Sequence, residues 1–195
     1  MAAFKAYDIR GRTDTGEIDA ELYELTGNAF ARLLDPSEVA VGRDCRPSSQ
    51  PFFEALAHGI TTAGSDVIDL GEVPTDVVYH FSGANDVPGA MITASHNPGE
   101  YNGLKLCRAG AAPVGEGTGL LDIRQAVLGR KMISSSISGS VRREDPLPGF
   151  IDHLFSIVAP ESIGSLQVAA DAGNGMAGVV LGDVFDNIDA AMDGI

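Results

Sequence analysis

The sequence predicts an α/β fold: a layered α/β/α domain with a mixed, mostly parallel sheet over residues 1–145, followed by the start of a second, similar α/β domain over residues 146–195. Two observations support this prediction. Short apolar runs alternate with amphipathic stretches of helical period, which is typical of strands alternating with helices. The same pattern restarts after a Ser- and Pro-rich segment, residues 134–148, which we interpret as a linker or loop.

Each predicted element has a local reason in the sequence. Asp19 can cap the first helix, and Gly64 and Gly129 end the second and fourth helices. Apolar residues recur at three- and four-residue spacing within the helices, whereas the strands are short apolar runs. The predicted helices cover residues 19–34, 47–63, 76–82, 118–128 and 150–158, and the predicted strands cover residues 38–41, 66–70, 90–94 and 166–170.

Composition narrows the class of protein. The formal net charge of −14 argues against binding to nucleic acid or to an anionic membrane, because both require a basic face. No apolar run reaches the roughly 18 residues of a membrane helix, and the first residues lack the pattern of a secretory signal. Cys45 and Cys107 are too few for a disulfide framework and lack zinc-ligand spacing. We therefore expect a cytoplasmic protein with two free thiols.

The most informative segment runs from residue 90 to residue 106. An apolar strand leads into Ser-His-Asn-Pro, Asn102-Gly103 predicts a tight turn, and Leu-Lys-Leu predicts a returning strand. Four polar side chains then meet at one loop: Ser95, His96, Asn97 and Lys105. Arg10, Arg43 and Arg46 lie at strand-to-loop transitions, where α/β sheets gather ligands, and phosphoryl transfer requires such cations. Alternatively, the tetrapeptide is an ordinary surface turn and Lys105 faces solvent between two core leucines.

Residues 93–106 resemble the phosphoserine loop of the α-D-phosphohexomutases, most closely the bacterial phosphomannomutase/phosphoglucomutase branch. Residues 6–11 and 41–44 resemble two further motifs of the same family's first domain. The resemblance implies that Ser95 carries the transferred phosphate and binds the metal through it. By the same resemblance, His96 and Lys105 are catalytic, and the residues that bind substrate or phosphate are Tyr7, Arg10, Arg43 and Asn97. Whether His96 or Lys105 moves the proton stays open.

The activity that the resemblance implies is that of an isomerase. Phosphate would move between C1 and C6 of a hexose phosphate through phospho-Ser95 and a 1,6-bisphosphate intermediate, with Mg²⁺ required and glucose 1,6-bisphosphate as activator. The family's metal loop, sugar-reading loop and phosphate-binding fourth domain have no match in the sequence. We therefore expect a truncated chain, natural or deliberate, that has little or no turnover alone and can self-associate. A fragment that binds a sugar phosphate or a partner without reaction is the alternative, and mannose or glucose preference stays open.

Residues 173–178 follow a predicted strand and satisfy the Gly-x-Gly-x-x-Gly dinucleotide pattern. That pattern expects an acidic residue after a second strand, and we expect the chain to end before such a strand. A resemblance to the opening of the phosphohexomutase second domain is therefore the preferred interpretation. From Gly182 onward we expect no family resemblance and a short amphipathic helix. Its solvated acidic face would consist of Asp183, Asp186, Asp189 and Asp193.

Overall fold

The computed structural model describes residues 2–194. Six α-helices occur in that range: α1 (Ala20–Leu34), α2 (Ser49–Ala63), α3 (Thr75–Asn85), α4 (Leu120–Leu128), α5 (Leu147–Ile157) and α6 (Ala177–Phe185). The strands of the same range are β1 (Ile9–Arg12), β2 (Glu38–Arg43), β3 (Asp66–Glu72), β4 (Gly89–Ile92), β5 (Tyr101–Arg108), β6 (Ala112–Pro113), β7 (Val141–Arg143), β8 (Gln167–Ala170) and β9 (Ala191–Gly194). The helices and strands predicted between residues 19 and 170 are therefore present, with ends displaced by a few residues.

The main sheet has the order β1-β5-β4-β2-β3-β7, and β6 pairs with β5. Strand β2 runs parallel to β3 and β4, and β7 runs parallel to β3. Strand β5 is antiparallel to both of its neighbours, β1 and β4, so β1 points in the same direction as the parallel group. The prediction of a mixed, mostly parallel sheet is confirmed.

Helices cover both faces of this sheet. Side chains alternate between the two faces along each strand, so both faces carry apolar residues that the helices bury. Val39 belongs to the core under α1, α2 and α4, together with Phe30 and Leu56. The next residue, Ala40, belongs to the core on the opposite face, where α3 and α5 pack through their apolar residues. The arrangement is a three-layer α/β/α sandwich, as predicted.

The caps of the first two helices agree with the prediction. The Asp19 carboxylate accepts a hydrogen bond of 2.8 Å from the backbone N–H of Leu22, which satisfies one free donor at the start of α1. Gly64 ends α2 in a left-handed conformation, with φ of 105°. These signals are local, so the sequence alone shows them.

The predicted turn at Asn102-Gly103 is wrong, because both residues lie inside β5. Asn102 is fully buried, and Gly103 pairs with Arg10 of β1. A Cβ atom on Gly103 would lie 2.5 Å from the carbonyl oxygen of Ile9, so glycine is required by the close approach of the strands. The chain reverses earlier, where the N–H of Tyr101 donates to the carbonyl of Pro98 at 3.0 Å.

The segment predicted as a linker or loop adds a strand to the sheet. Residues Val141–Arg143 form β7, parallel to β3. Helix α5 follows and packs through Phe150 and Ile151 against the core that includes α3. The boundary between residues 145 and 146 stays a prediction.

The last residues form a β-α-β unit. Its first strand, β8, was predicted, whereas the expectation that no second strand forms is wrong, because residues Ala191–Gly194 form β9. Strands β8 and β9 pair in parallel, with Gln167 opposite Ala191. The predicted helix over residues 183–193 is therefore wrong, because residues 191–194 belong to a strand. Helix α6 ends at Phe185, where the Asn187 side chain donates to the carbonyl of Asp183 at 2.7 Å and so satisfies a terminal acceptor. Within residues 2–194, no helix combines the length and apolarity needed to cross a membrane.

Candidate functional site

Ser95 lies at the carboxyl end of β4, on the rim of a cleft of about 680 Å³. Residues 44–46 after β2, the start of α3 and the turn at residues 174–176 before α6 line the same cleft. The carboxyl ends of parallel strands meet at one edge of a sheet, which is why these segments converge. The volume suits a small-molecule ligand.

The backbone of Ser95 has a left-handed conformation, with φ of 55°. Such a conformation costs a non-glycine residue roughly 1–2 kcal/mol, so the surrounding structure must hold it. Its N–H donates to Thr93 Oγ1 at 2.8 Å, and its exposed Oγ lies 3.4 Å from Nδ1 of His96. The hydroxyl group is thus open to the cleft beside an imidazole.

The guanidinium group of Arg46 fixes the serine loop through hydrogen bonds to its backbone. Its Nε donates to Asp44 Oδ2 at 3.0 Å. Its two terminal nitrogens donate to four backbone carbonyls, those of Ser95 (2.8 Å), Asn97 (2.7 Å), Pro98 (2.7 Å) and Tyr101 (3.0 Å). All five N–H groups of the guanidinium therefore have acceptors within the protein.

A buried polar network supports Asp44 in turn. Ser49 at the start of α2 donates to Asp44 Oδ1 at 2.5 Å. The side chain of Asn102 donates to Ser49 Oγ at 3.0 Å and to Ser48 Oγ at 2.8 Å. The network connects β5, α2 and the serine loop, so the loop is fixed to two elements of the core.

Two cations share one buried carboxylate next to the loop. Asp8 accepts hydrogen bonds from Arg10 and, at 3.4 Å, from Lys105. Arg10 also donates to Asn97 Oδ1 at 3.0 Å, which connects the pair to the serine loop. The Arg10 and Lys105 side chains are 28% and 27% exposed, so each retains an accessible surface for an anion.

Two tyrosine hydroxyl groups have a pKa that is raised by burial. Tyr23 donates to the carbonyl of Gly103 at 2.9 Å, and burial raises the pKa of its phenol well above the usual value, with Asp44 adding to the effect. Burial also raises the pKa of Tyr79 on α3.

Five of the predicted site residues form one connected group in the structure: Ser95, His96, Asn97, Arg10 and Lys105. The structure does not bring Arg43 into this group. Its guanidinium pairs with Asp69 at 2.7 Å and lies over the ring of Phe53, and only 9% of its side chain is exposed. The alternation along β2 places it on the α2 face of the sheet, away from the cleft lining.

Tyr7 also lies outside this group. Its side chain is 76% exposed, and its ring packs near Gly115 in a separate depression lined by residues 113 and 115–118. The sequence identified this residue by its motif, whereas its neighbours in space depend on the loop after β6.

Sequence reasoning missed the importance of Asp8 and Asp44 and expected Arg46 to face a ligand. Each of the two carboxylates lies two residues before an arginine to which it bonds. An Asp-x-Arg spacing directly before or after a strand is the signal that could have identified both pairs. Within residues 2–194, no group of three His, Cys, Asp or Glu side chains is arranged to hold a metal ion.

Comparison with known proteins identifies a family for this chain. Residues 1–127 match the family model of phosphoglucomutase/phosphomannomutase, alpha/beta/alpha domain I. A phosphomannomutase of Vibrio cholerae is 35% identical over 190 residues, which are 94% of this chain and 41% of the relative. A phosphomannomutase of Escherichia coli is 35% identical over 195 residues, covering 98% of this chain and 42% of that relative.

Among solved structures, a phosphoglucomutase/phosphomannomutase family protein from Burkholderia thailandensis superposes with a TM-score of 0.84 at 28% identity. The superposition covers 100% of this chain and 43% of the Burkholderia protein. Similarity thus continues beyond Gly182, and the prediction that it ends there is wrong. The chain spans about two fifths of the length of the curated relatives it matches.

Fold and site together define a three-layer α/β/α domain that presents a serine loop at the carboxyl edge of its sheet. The chain belongs to the phosphoglucomutase/phosphomannomutase family, as its serine loop predicted.

Proposed function

We propose that this chain provides the phosphate-carrying serine of a phosphohexomutase, with a hexose phosphate as substrate. The observation that carries the proposal is the exposed Ser95 hydroxyl on a fixed loop, beside His96 and connected to the cations Arg10 and Lys105. A phosphate on Ser95 would bring roughly two negative charges, and these two side chains supply the opposite charge. Phosphate would then move between C1 and C6 of the sugar.

The loading of Ser95 from a sugar bisphosphate is the step that these residues support. Serine Oγ attacks phosphorus, the Ser–O–P bond forms, and the sugar O–P bond breaks. The serine proton leaves and the departing sugar oxygen gains a proton, so the charge balances. His96 Nδ1 lies 3.4 Å from Oγ and is the base that we propose for the serine proton. Lys105 would then serve the sugar hydroxyl.

Magnesium belongs to the family's proposed chemistry, but the described residues do not make a magnesium site by themselves. Asp76 lines the cleft, whereas Asp44 is occupied by Arg46 and Ser49. A phosphate on Ser95 would be the ligand from this chain, and we derive no step through the ion. The proposed setting is the cytoplasm, where thiols such as Cys45 and Cys107 stay reduced.

Mass spectrometry of the intact chain tests the assignment. Incubation with glucose 1,6-bisphosphate and Mg²⁺ should add about 80 Da to the wild-type chain. Ser95→Ala should abolish the adduct, whereas the control Ser136→Ala, at an exposed position in the loop before β7, should retain it. An adduct that persists in Ser95→Ala would overturn the assignment. Binding of glucose 1,6-bisphosphate without any adduct would support a binding function instead.

The proposed activity of this chain alone is small. The relatives are more than twice as long, and a complete mutase must bind the sugar and both phosphates. A coupled assay for glucose 6-phosphate formation should therefore show little turnover for the 195-residue chain. Turnover at about 1 per second or faster, typical of enzymes, would contradict this expectation.

A further inference from the structure

We propose that Arg46 is the positioning residue of Ser95: it sets the direction of the serine hydroxyl through the loop backbone and does not bind the ligand itself. The geometric part of this inference stands on the structure of the loop. Its consequence for phosphate transfer rests on the proposed function.

Arg46 has no donor left for a substrate. Each of its five N–H groups has an acceptor within the protein, and its side chain is 12% exposed. A sugar phosphate could bind to it only by displacing carbonyls that the loop needs. Arg10, by contrast, is 28% exposed and contacts the loop through one side-chain amide, that of Asn97.

The acceptors explain why the position requires arginine. The carbonyls of Ser95 and Asn97 accept from one terminal nitrogen, and those of Pro98 and Tyr101 accept from the other. A planar fork reaches four such oxygens at once, whereas a lysine ammonium has three donors on a single nitrogen. The charge of Arg46 is largely matched by Asp44, so its contribution to Ser95 is geometric.

The loop needs this support because Ser95 adopts a left-handed backbone conformation, with φ of 55°. Fixing the carbonyl of Ser95 and that of Asn97, two residues later, limits rotation of the peptides between them. Since Oγ is attached to that backbone through Cβ, the same bonds limit the positions from which it can approach a phosphorus atom. A misplacement of about 1 Å in a reacting group can cost roughly 100-fold in rate.

The test compares Arg46→Ala and Arg46→Lys with Arg32→Ala, a control at an exposed arginine in the last turn of α1. Hydrogen exchange of the 195-residue chain is followed by mass spectrometry. Both Arg46 variants should exchange at least about tenfold faster over residues 94–102, the factor expected for loss of one charged hydrogen bond. Exchange in α1 and β3 should match the control, which also shows that the variants fold.

The second measurement is the rate of phosphate loading of Ser95 from glucose 1,6-bisphosphate. Both variants should load roughly 100-fold more slowly, and free guanidinium ion should restore part of the rate in Arg46→Ala. The pH dependence of loading should keep its shape, because Arg46 gives and takes no proton in the proposed step. A wild-type rate in Arg46→Lys would show that charge alone suffices and would overturn the inference.

Failure of the proposed function would look different. If the wild-type chain acquires no phosphate on Ser95, the function fails, and hydrogen exchange still decides the geometric inference. Unchanged exchange over residues 94–102 in both Arg46 variants would overturn that inference whatever the chemistry of Ser95.

Discussion

Replacing Gly103 by alanine should destabilise the protein by separating two backbones that nearly touch. A Cβ atom there would lie 2.5 Å from the carbonyl oxygen of Ile9 and 2.8 Å from that of Thr93. Both obstacles are backbone atoms, so no side-chain rotation can relieve the contact. Strand β5 would have to move away from β1 by about half an ångström, which weakens the pairing between Gly103 and Arg10.

The expected cost is about 3 kcal/mol, at the upper end of the range for overpacking a core. For a chain of this size, each kcal/mol lowers Tm by about 2–4 °C, so Tm should fall by about 6–12 °C. Thermal unfolding followed by circular dichroism, together with urea unfolding, measures both quantities.

Gly117→Ala is the matched control, because an added Cβ meets nothing within 4 Å at that position. Its free energy of unfolding should change by no more than about 0.5 kcal/mol. A Gly103→Ala chain that unfolds at the same temperature as Gly117→Ala would refute the steric argument for a glycine inside β5.

Three further predictions concern polar groups that are buried or half-buried. Tyr23→Phe removes the hydroxyl that donates to Gly103 and should lower the free energy of unfolding by about 1 kcal/mol in urea; an unchanged midpoint would contradict this. Asp8→Asn leaves two cations without their shared carboxylate and should cost about 2 kcal/mol in the same assay; equal stability would refute the pairing. Burial lowers the pKa of His80, with a nearby histidine adding to it, so the folded state binds fewer protons than the unfolded chain below about pH 6.5. Stability should therefore decrease as pH falls below about 6.5, by at most about 1.4 kcal/mol per pH unit, and His80→Phe should flatten the urea midpoint over that range; equal slopes would exclude His80 as the cause.

Helix ends were predictable because their causes are local. Asp19 caps α1 through a bond to a residue three positions away, and Gly64 ends α2 through its own backbone conformation. The Asn102-Gly103 dipeptide shows the limit of such local reasoning. It is typical of a turn, yet pairing with β1 and burial against Ser48 and Ser49 place it inside a strand.

The serine loop was predictable because its polar residues are close together in the sequence. The support beneath it was not, since Arg46 contacts carbonyls of residues about 50 positions later, and Arg10 contacts Asn97 across 87 positions. The position of Arg43 depended on strand register. Alternation along β2 directs it toward Asp69 on the α2 face, a choice that its motif does not reveal.

The Arg46 contacts have a consequence for how the loop can change. All four acceptors in the loop are backbone carbonyls, which every amino acid provides. These hydrogen bonds therefore do not depend on which side chains the loop carries. His96 and Gly99 both line the cleft and can be exchanged without removing any of these bonds. Substitutions in the loop can therefore change the side chains that line the cleft while the backbone position of Ser95 stays the same. The loop sequence can thus diverge among related proteins without loss of the Arg46 hydrogen bonds.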